Sequence, residues 1–178
     1  MGIVPDWYDR YRKTEEGVVE MAATGRYIGT PNGIVLCADA NDDGILTGRL
    51  YHGYSTEAIP FRGYESVIRT AEALFDALGF PHKGTGDRNI HGQTRGHKKK
   101  EGMTKVMRDD ELLGQHGDMG TFVIRVQHRQ HSSWQGMVTY LDRDQTVYFR
   151  SALELIKIID STLDEAERKA AGRAEGEA

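Results

Sequence analysis

Four stretches of this sequence carry residue types that could do chemistry, and each competes with a simpler reading of the same spacing. Asp39-Ala40-Asn41-Asp42-Asp43-Gly44 sets oxygen-bearing side chains at alternating positions ahead of a glycine, as in the opening of a calcium loop. The twelfth place, where a bidentate carboxylate would close the loop, is Leu50, and the residues after Gly44 read as a strand. An Asx-rich hairpin turn that binds its own backbone is the better reading. Among seven histidines, His128 and His131 stand close together, but a turn does not bring both rings to one side. No metal is assigned. Cys37, the single cysteine, lies among Val35, Leu36 and Ala38, which suits a small buried residue and excludes an internal disulfide. Ser132 and Ser133 beside His131 lack a third partner, and no phosphate-loop, dinucleotide or nucleophile-elbow motif occurs. No catalytic residue and no cofactor follows from these patterns.

A different chemistry is offered by the middle of the chain. Lys83, Arg88, Arg95, Lys98, Lys99, Lys100, Lys105 and Arg108 face only Asp87 and Glu101 over the same span. Gly84, Gly86, Gly92, Gly96 and Gly102 interrupt it, so residues 82–118 read as a basic, glycine-rich insertion without regular structure. Such a loop suits phosphate contacts, although the net charge of −4 over 178 residues argues against a wholesale nucleic-acid coat.

The elements that must position these groups come in two sets. Residues 32–81 contain the apolar run Ile34 to Cys37, the acidic turn, a second run Ile45 to Tyr51, and a third strand near Ala58 to Phe61. Val67, Ala71, Leu74 and Leu78 then recur at helical spacing until Gly79 and Pro81. Residues 119–169 repeat the order: strands over Met119 to Gln127, Trp134 to Leu141 and Gln145 to Phe149, then a helix from Ser151 that buries Leu155, Ile159 and Leu163. A displacement of 88 residues lays Val35 on Val123, Gly48 on Gly136, Phe61-Arg62 on Phe149-Arg150 and Asp76 on Asp164, and keeps pairs such as Ile34/Phe122, Leu36/Ile124, Leu50/Val138 and Val67/Leu155 apolar. Residues 1–31 read as a helical segment, with Trp7, Tyr11, Val18 and Ala22 on one side, and residues 170–178 as a disordered tail.

A single three-stranded unit with one helix is marginal alone, so two should share a core. The predicted fold is α+β: two tandem pseudo-symmetric βββα units forming an antiparallel sheet with helices on one face, plus an N-terminal helix.

A helix, three antiparallel strands and a helix resembles the element order of the double-stranded-RNA-binding domain, which implies a nucleic-acid partner. The sequence departs from that family where a lysine cluster should open the last helix, since Ser151-Ala152-Leu153-Glu154-Leu155 stands there. Asp39, Asp42 and Asp43 would also meet the phosphates. The stretch from Arg129 to Gly136, with Phe149 to Leu155, is similar to a pattern in short bacterial proteins and directs attention to Trp134, Gln135, Phe149 and Arg150. Trp134, Gln135 and Arg150, with Arg125 and Arg129, form the candidate binding surface. Arg62 and Arg150, each directly after a strand phenylalanine, should turn from the core toward Glu65 and Glu154.

The functional expectation is a non-catalytic cytoplasmic binding or regulatory protein acting through contacts with another protein or a second copy of itself. One alternative is nucleic-acid binding through the basic insertion and the second three-stranded sheet; another is an enzyme or small-ligand protein. No apolar run reaches membrane-spanning length and charges stand within the first ten residues, so no membrane partner is expected.

Overall fold

Strand β3, Ile34–Asp42, and strand β6, Gly120–His128, are buried on both faces over most of their length. Such strands must lie at the centre of a sheet with cover above and below. In the computed structural model, which describes residues 11–13, 18–21, 28–84, 90–92 and 102–176, they pair with each other. On one side β3 pairs with β4 (Ile45–His52), and β4 with β5 (Ile59–Arg62). On the other, β6 pairs with β7 (Gln135–Tyr140), and β7 with β8 (Gln145–Phe149). All these pairings are antiparallel. Two short strands, β1 (Tyr11–Lys13) and β2 (Val18–Met21), extend the sheet beyond β8, giving the order β1-β2-β8-β7-β6-β3-β4-β5.

The registers of the two three-stranded segments can be read side by side. Val35 stands opposite both Val123 and Tyr51, and Val123 opposite Thr139. Gly48 faces Phe61, and Gly136 faces Phe149. The ladder shifts between Ala38 and Ala40 in one segment and between Val126 and His128 in the other. Both glycines are required by close approach: a Cβ on Gly48 would lie 2.0 Å from the Cys37 carbonyl oxygen, and one on Gly136 2.0 Å from that of Arg125.

One face of the sheet carries α1 (Gly63–Leu78) and α3 (Ala152–Gly176). Val67, Ala71, Leu74 and Phe75 of α1 and Leu155, Ile159 and Leu163 of α3 pack with Leu36, Leu50, Phe122, Ile124 and Val138 in one core. Each large side chain fully buried there contributes about 1.5–3 kcal/mol. Gly79, at φ 65°, ends α1 in the left-handed conformation, where its N–H meets carbonyls of the last turn. The α+β class with an antiparallel sheet and helices is therefore established. No described helix is long and apolar enough to cross a membrane.

Three sequence expectations are corrected. At Tyr11–Lys13 and Val18–Met21 the predicted N-terminal helix is replaced by strands, while Trp7 and Ala22 lie outside the described residues. The open edge of β8 accepts an added strand there, with Val18 opposite Val147 and Val19 opposite Thr146. The insertion at 82–118 is not loop throughout: Asp109–Leu113 form α2, and Leu112 and Leu113 are buried. With Met107 and Ile28 they cover the second face of the sheet over Val35, Cys37, Tyr51 and Val123, making residues 102–118 a strap across the central strands. Third, the chain at 170–176 belongs to α3, whose last turns hold an ion pair between Glu165 and Lys169.

Candidate functional site

The densest group of charged side chains lies where α1 meets the end of β6. Glu72 and Asp76, one helical turn apart, flank the buried Phe75. Arg129, just past β6, is only 5% exposed, and its Nη1 donates to Asp76 Oδ1 (2.7 Å) and Glu72 Oε2 (3.1 Å) while Nε donates to the Pro81 carbonyl (2.8 Å). Its guanidinium carbon lies 5.6 Å from the centre of the Phe75 ring. Lys83 reaches the same two carboxylates at 3.3 and 3.2 Å. Trp134, 3% exposed, packs edge-on against Phe75 and donates from Nε1 to Glu72 Oε1 (2.6 Å). Burial works against the charge on Asp76, but hydrogen bonds from Arg129 and Lys83 outweigh it and hold its carboxyl below the usual range. That carboxylate stays an acceptor at neutral pH, so the ring of charges fastens α1 to the sheet and is poorly suited to donate a proton.

A second ion pair sits on the opposite face. Arg49 on β4 holds Asp39 on β3 with two parallel bonds, Nε to Oδ2 at 2.8 Å and Nη2 to Oδ1 at 2.9 Å, and also donates to the His116 carbonyl of the strap. The Arg49 hydrogen bond keeps the Asp39 carboxyl below its ordinary value. Asp39 thus serves the strand pair, in keeping with a hairpin turn instead of a calcium loop. Cys37 is buried beside this pair, and burial pushes its thiol up to about 11 against the attraction of Arg49, with Asp39 adding to the rise. It is a protonated thiol at neutral pH. Among the described residues no group of three or more metal-ligating side chains comes together.

Arg125 is also inside. Its Nε donates to the Ile28 carbonyl (2.6 Å) and Nη1 to Thr139 Oγ1 (2.7 Å), which in turn meets Thr146 Oγ1 at 2.8 Å. Nearby, the buried Asn32 amide donates to the Val126 carbonyl. The second three-stranded sheet therefore has no open face at Arg125 and Thr139, because residues around Ile28 lie over them. This corrects the picture of that sheet as a surface laid against nucleic acid.

The remaining candidates are scattered. Gln135 exchanges two hydrogen bonds with the backbone of Gln130 across the β6–β7 hairpin. Arg150 is 88% exposed and pairs with Glu154, as its position predicts. Glu65, by contrast, is taken by Arg69, and Arg62 is tied through its backbone to Ser66. The structure brings together Arg129 and Trp134 but neither with Arg150, and only Arg150 of the three faces solvent. In the basic insertion, Lys105 is paired with Asp109, Arg108 with Asp110 and Glu111, and Lys83 with α1. Arg88, Arg95, Lys98, Lys99 and Lys100 lie outside the described residues. Sequence reasoning missed Glu72; the available signal was a pair of carboxylates at i and i+4 on either side of a core phenylalanine.

Comparison with protein-family models, curated proteins and solved structures finds no match to this chain, so its function has to be argued from its own geometry.

Proposed function

We propose that this chain is a non-catalytic binding and regulatory protein that works through contact with another protein, on a framework of two tandem βββα units at 32–81 and 119–169. The framework reading is supported by the pairing register. Strand partners, bulges and close-approach glycines recur at a spacing of 88 residues, and a pseudo-twofold axis through the Val35–Val123 pair relates them. The binding reading rests on α3. Among its described side chains the last buried one is Leu163, yet the helix runs on to Gly176, and from Asp164 to Arg173 every residue but the half-buried Ala166 is exposed. Helices in proteins draw most of their stability from packing. More than three turns of helix that leave their own core are a contact surface for a second chain.

A photo-crosslinking residue at position 168 of the full chain, in living cells, tests this reading against the same residue at the exposed position 57. Discrete protein adducts from position 168 alone are expected. Identical adducts from both positions, or none from 168, would remove the reading.

Nucleic-acid binding has one observation in its favour. The Gly84 N–H donates to the Arg129 carbonyl past the end of β6, and the Val106 and Met107 N–H groups donate to the Gly53 carbonyl past the end of β4. Ile34, opposite both Ile124 and His52, puts those strand ends at the same end of the sheet. Gly84 and Val106, the described residues tied to the sheet on either side of Arg88, Arg95 and Lys98 to Lys100 in sequence, are thus held at one end of it. A salt titration of binding to single- and double-stranded nucleic acid decides it. Affinity that falls steeply with salt and is lost when the three lysines become alanine supports this second reading, and no binding at low salt ends it.

A further inference from the structure

The same end of the sheet holds a contact that no binding surface requires. Strand β4 stops at His52, and the turn that follows is fastened to the imidazole: the Tyr54 N–H donates to His52 Nδ1 at 3.2 Å, and the Ser55 N–H donates to the His52 carbonyl at 3.4 Å. Between them, the Gly53 carbonyl accepts from Val106 N–H (2.8 Å) and Met107 N–H (3.0 Å), the first backbone ties of the strap that covers the central strands. The stem of Lys105 lies against Gly53. The orientation of the Gly53 carbonyl thus depends on a turn closed by a histidine lone pair.

We propose that His52 is an acid-sensitive clasp, whose neutral ring holds the Gly53 end of the 102–118 strap against the sheet and whose protonation releases it. A doubly protonated imidazole donates from both nitrogens and has no lone pair for the Tyr54 N–H. With two donors opposed, the turn must rotate, and the Gly53 carbonyl leaves the Val106 and Met107 amides. The surroundings give the cation little in return: a hydrogen bond to its own backbone favours the charged ring, but burial outweighs it. Opposite His52 on β3 stands the apolar Ile34, the Tyr54 ring lies 6.2 Å away, and in the strap the Lys105 ammonium and the Asp109 carboxylate pair with each other. His52 is 9% exposed, and burial moves its titration below that of a free histidine. The sign follows: the open form binds the proton more readily, so opening grows as pH falls below the ordinary histidine value of about 6.5.

Amide hydrogen exchange of the full chain, followed by NMR at about pH 7.5 and about pH 5.5 and normalised to free-peptide rates, tests the clasp across the histidine range. Protection at Val106 and Met107 should fall severalfold, up to a one-proton limit of about tenfold, at the lower pH, while Val35 and Val123 hold theirs. His52→Asn, whose side-chain oxygen can accept the Tyr54 N–H without titrating, should keep both amides protected at both pH values. Loss of protection in His52→Asn equal to that in the wild type, or no loss in the wild type, overturns the proposal. A readout independent of that variant is the midpoint of the loss, which must coincide with the ring titration of His52 and not with that of His116 or His82.

Discussion

The tips of the two long hairpins place left-handed residues at equivalent positions and fill them differently. Asp43 and Gly44, with φ of 51° and 80°, alone join β3 to β4; His131 and Ser132, with φ of 54° and 56°, lie within the longer turn at 129–134 between β6 and β7. Glycine occupies the left-handed region freely and aspartate tolerates it, whereas serine and histidine are held there against an intrinsic cost. The second tip is correspondingly braced. The Ser133 N–H donates to the Gln130 carbonyl, Gln135 bonds to both backbone groups of Gln130, and Ser133 Oγ accepts the N–H of Ala152 at the start of α3. The same contrast runs along the strands: Cys37 and Leu46 occupy the places that Arg125 and Trp134 take 88 residues later. One segment thus fills these places with apolar residues and the other with buried polar groups that have dedicated partners. The outer edges differ as well. β5 carries Pro60, which removes a backbone donor from an edge strand, while β8 is covered by β2.

The largest test of this comparison concerns the glycines. Gly48→Ala and Gly136→Ala should each cost about 3 kcal/mol or more, because the added carbon meets a backbone carbonyl that side-chain motion cannot clear. Urea unfolding of both variants measures it; tolerance at one site only would break the correspondence of the two segments.

Next come the two ion pairs. Arg129→Ala leaves Glu72 and Asp76 with Lys83 as their one remaining cation among the described pairs, and should cost about 2–3 kcal/mol, below the value for a wholly buried pair because the carboxylates keep contact with water. Arg49→Ala, at a more exposed pair, should cost about 1 kcal/mol. Acid titration sharpens the contrast. Asp76 and Asp39 both bind their proton more weakly when folded. Their contribution is therefore fully present above the ordinary aspartate value and lost as pH falls through the lower folded one. The low-pH decline in Tm should flatten in Asp76→Asn and Asp39→Asn, each measured relative to its own value at neutral pH. An unchanged slope would mean that neither pair governs acid stability.

The hairpin tips predict a smaller effect of opposite sign. Ser132→Gly should stabilise the chain by about 1 kcal/mol through relief of the left-handed backbone, and Gly44→Ala should destabilise it by a similar amount. A destabilising Ser132→Gly would show that the serine side chain is worth more than the strain. The smallest effect is expected at Arg150→Lys, since an exposed i,i+4 pair with Glu154 is all that this side chain makes among the described contacts. No resolvable change in Tm is the expected result.

Strands β3 to β8 and helices α1 and α3 were legible in the sequence because each carries its own periodicity and its own stop signals, as with Val67, Ala71, Leu74 and Gly79 in α1. Helix α2 was not. Five residues with one Leu-Leu pair are too few to show a period, and the burial of Leu112 and Leu113 comes from strands far away in the chain. The first two strands were misread for a related reason, since Val18 and Val19 pair with Val147 and Thr146, which no local pattern announces. Among the candidate site residues, charge and aromatic character were visible for Arg125, Arg129 and Trp134, but their destination was not. All three are drawn inside by partners 14 to 97 residues away.

What the sequence determined by itself is therefore the local grammar: alternation that makes strands two-faced, turn residues that fold them back, and a helix after each third strand. These depend on propensities and periods that act over a few residues. Only the tertiary structure decided that β3 and β6 join at Val35 and Val123, that the strap closes the second face, and that Arg129 fastens α1 instead of meeting a partner. Each of those outcomes turns on burying a polar or apolar group against distant chain, where the cost of an unpaired charge and the gain from excluded water depend on neighbours that the local sequence does not name.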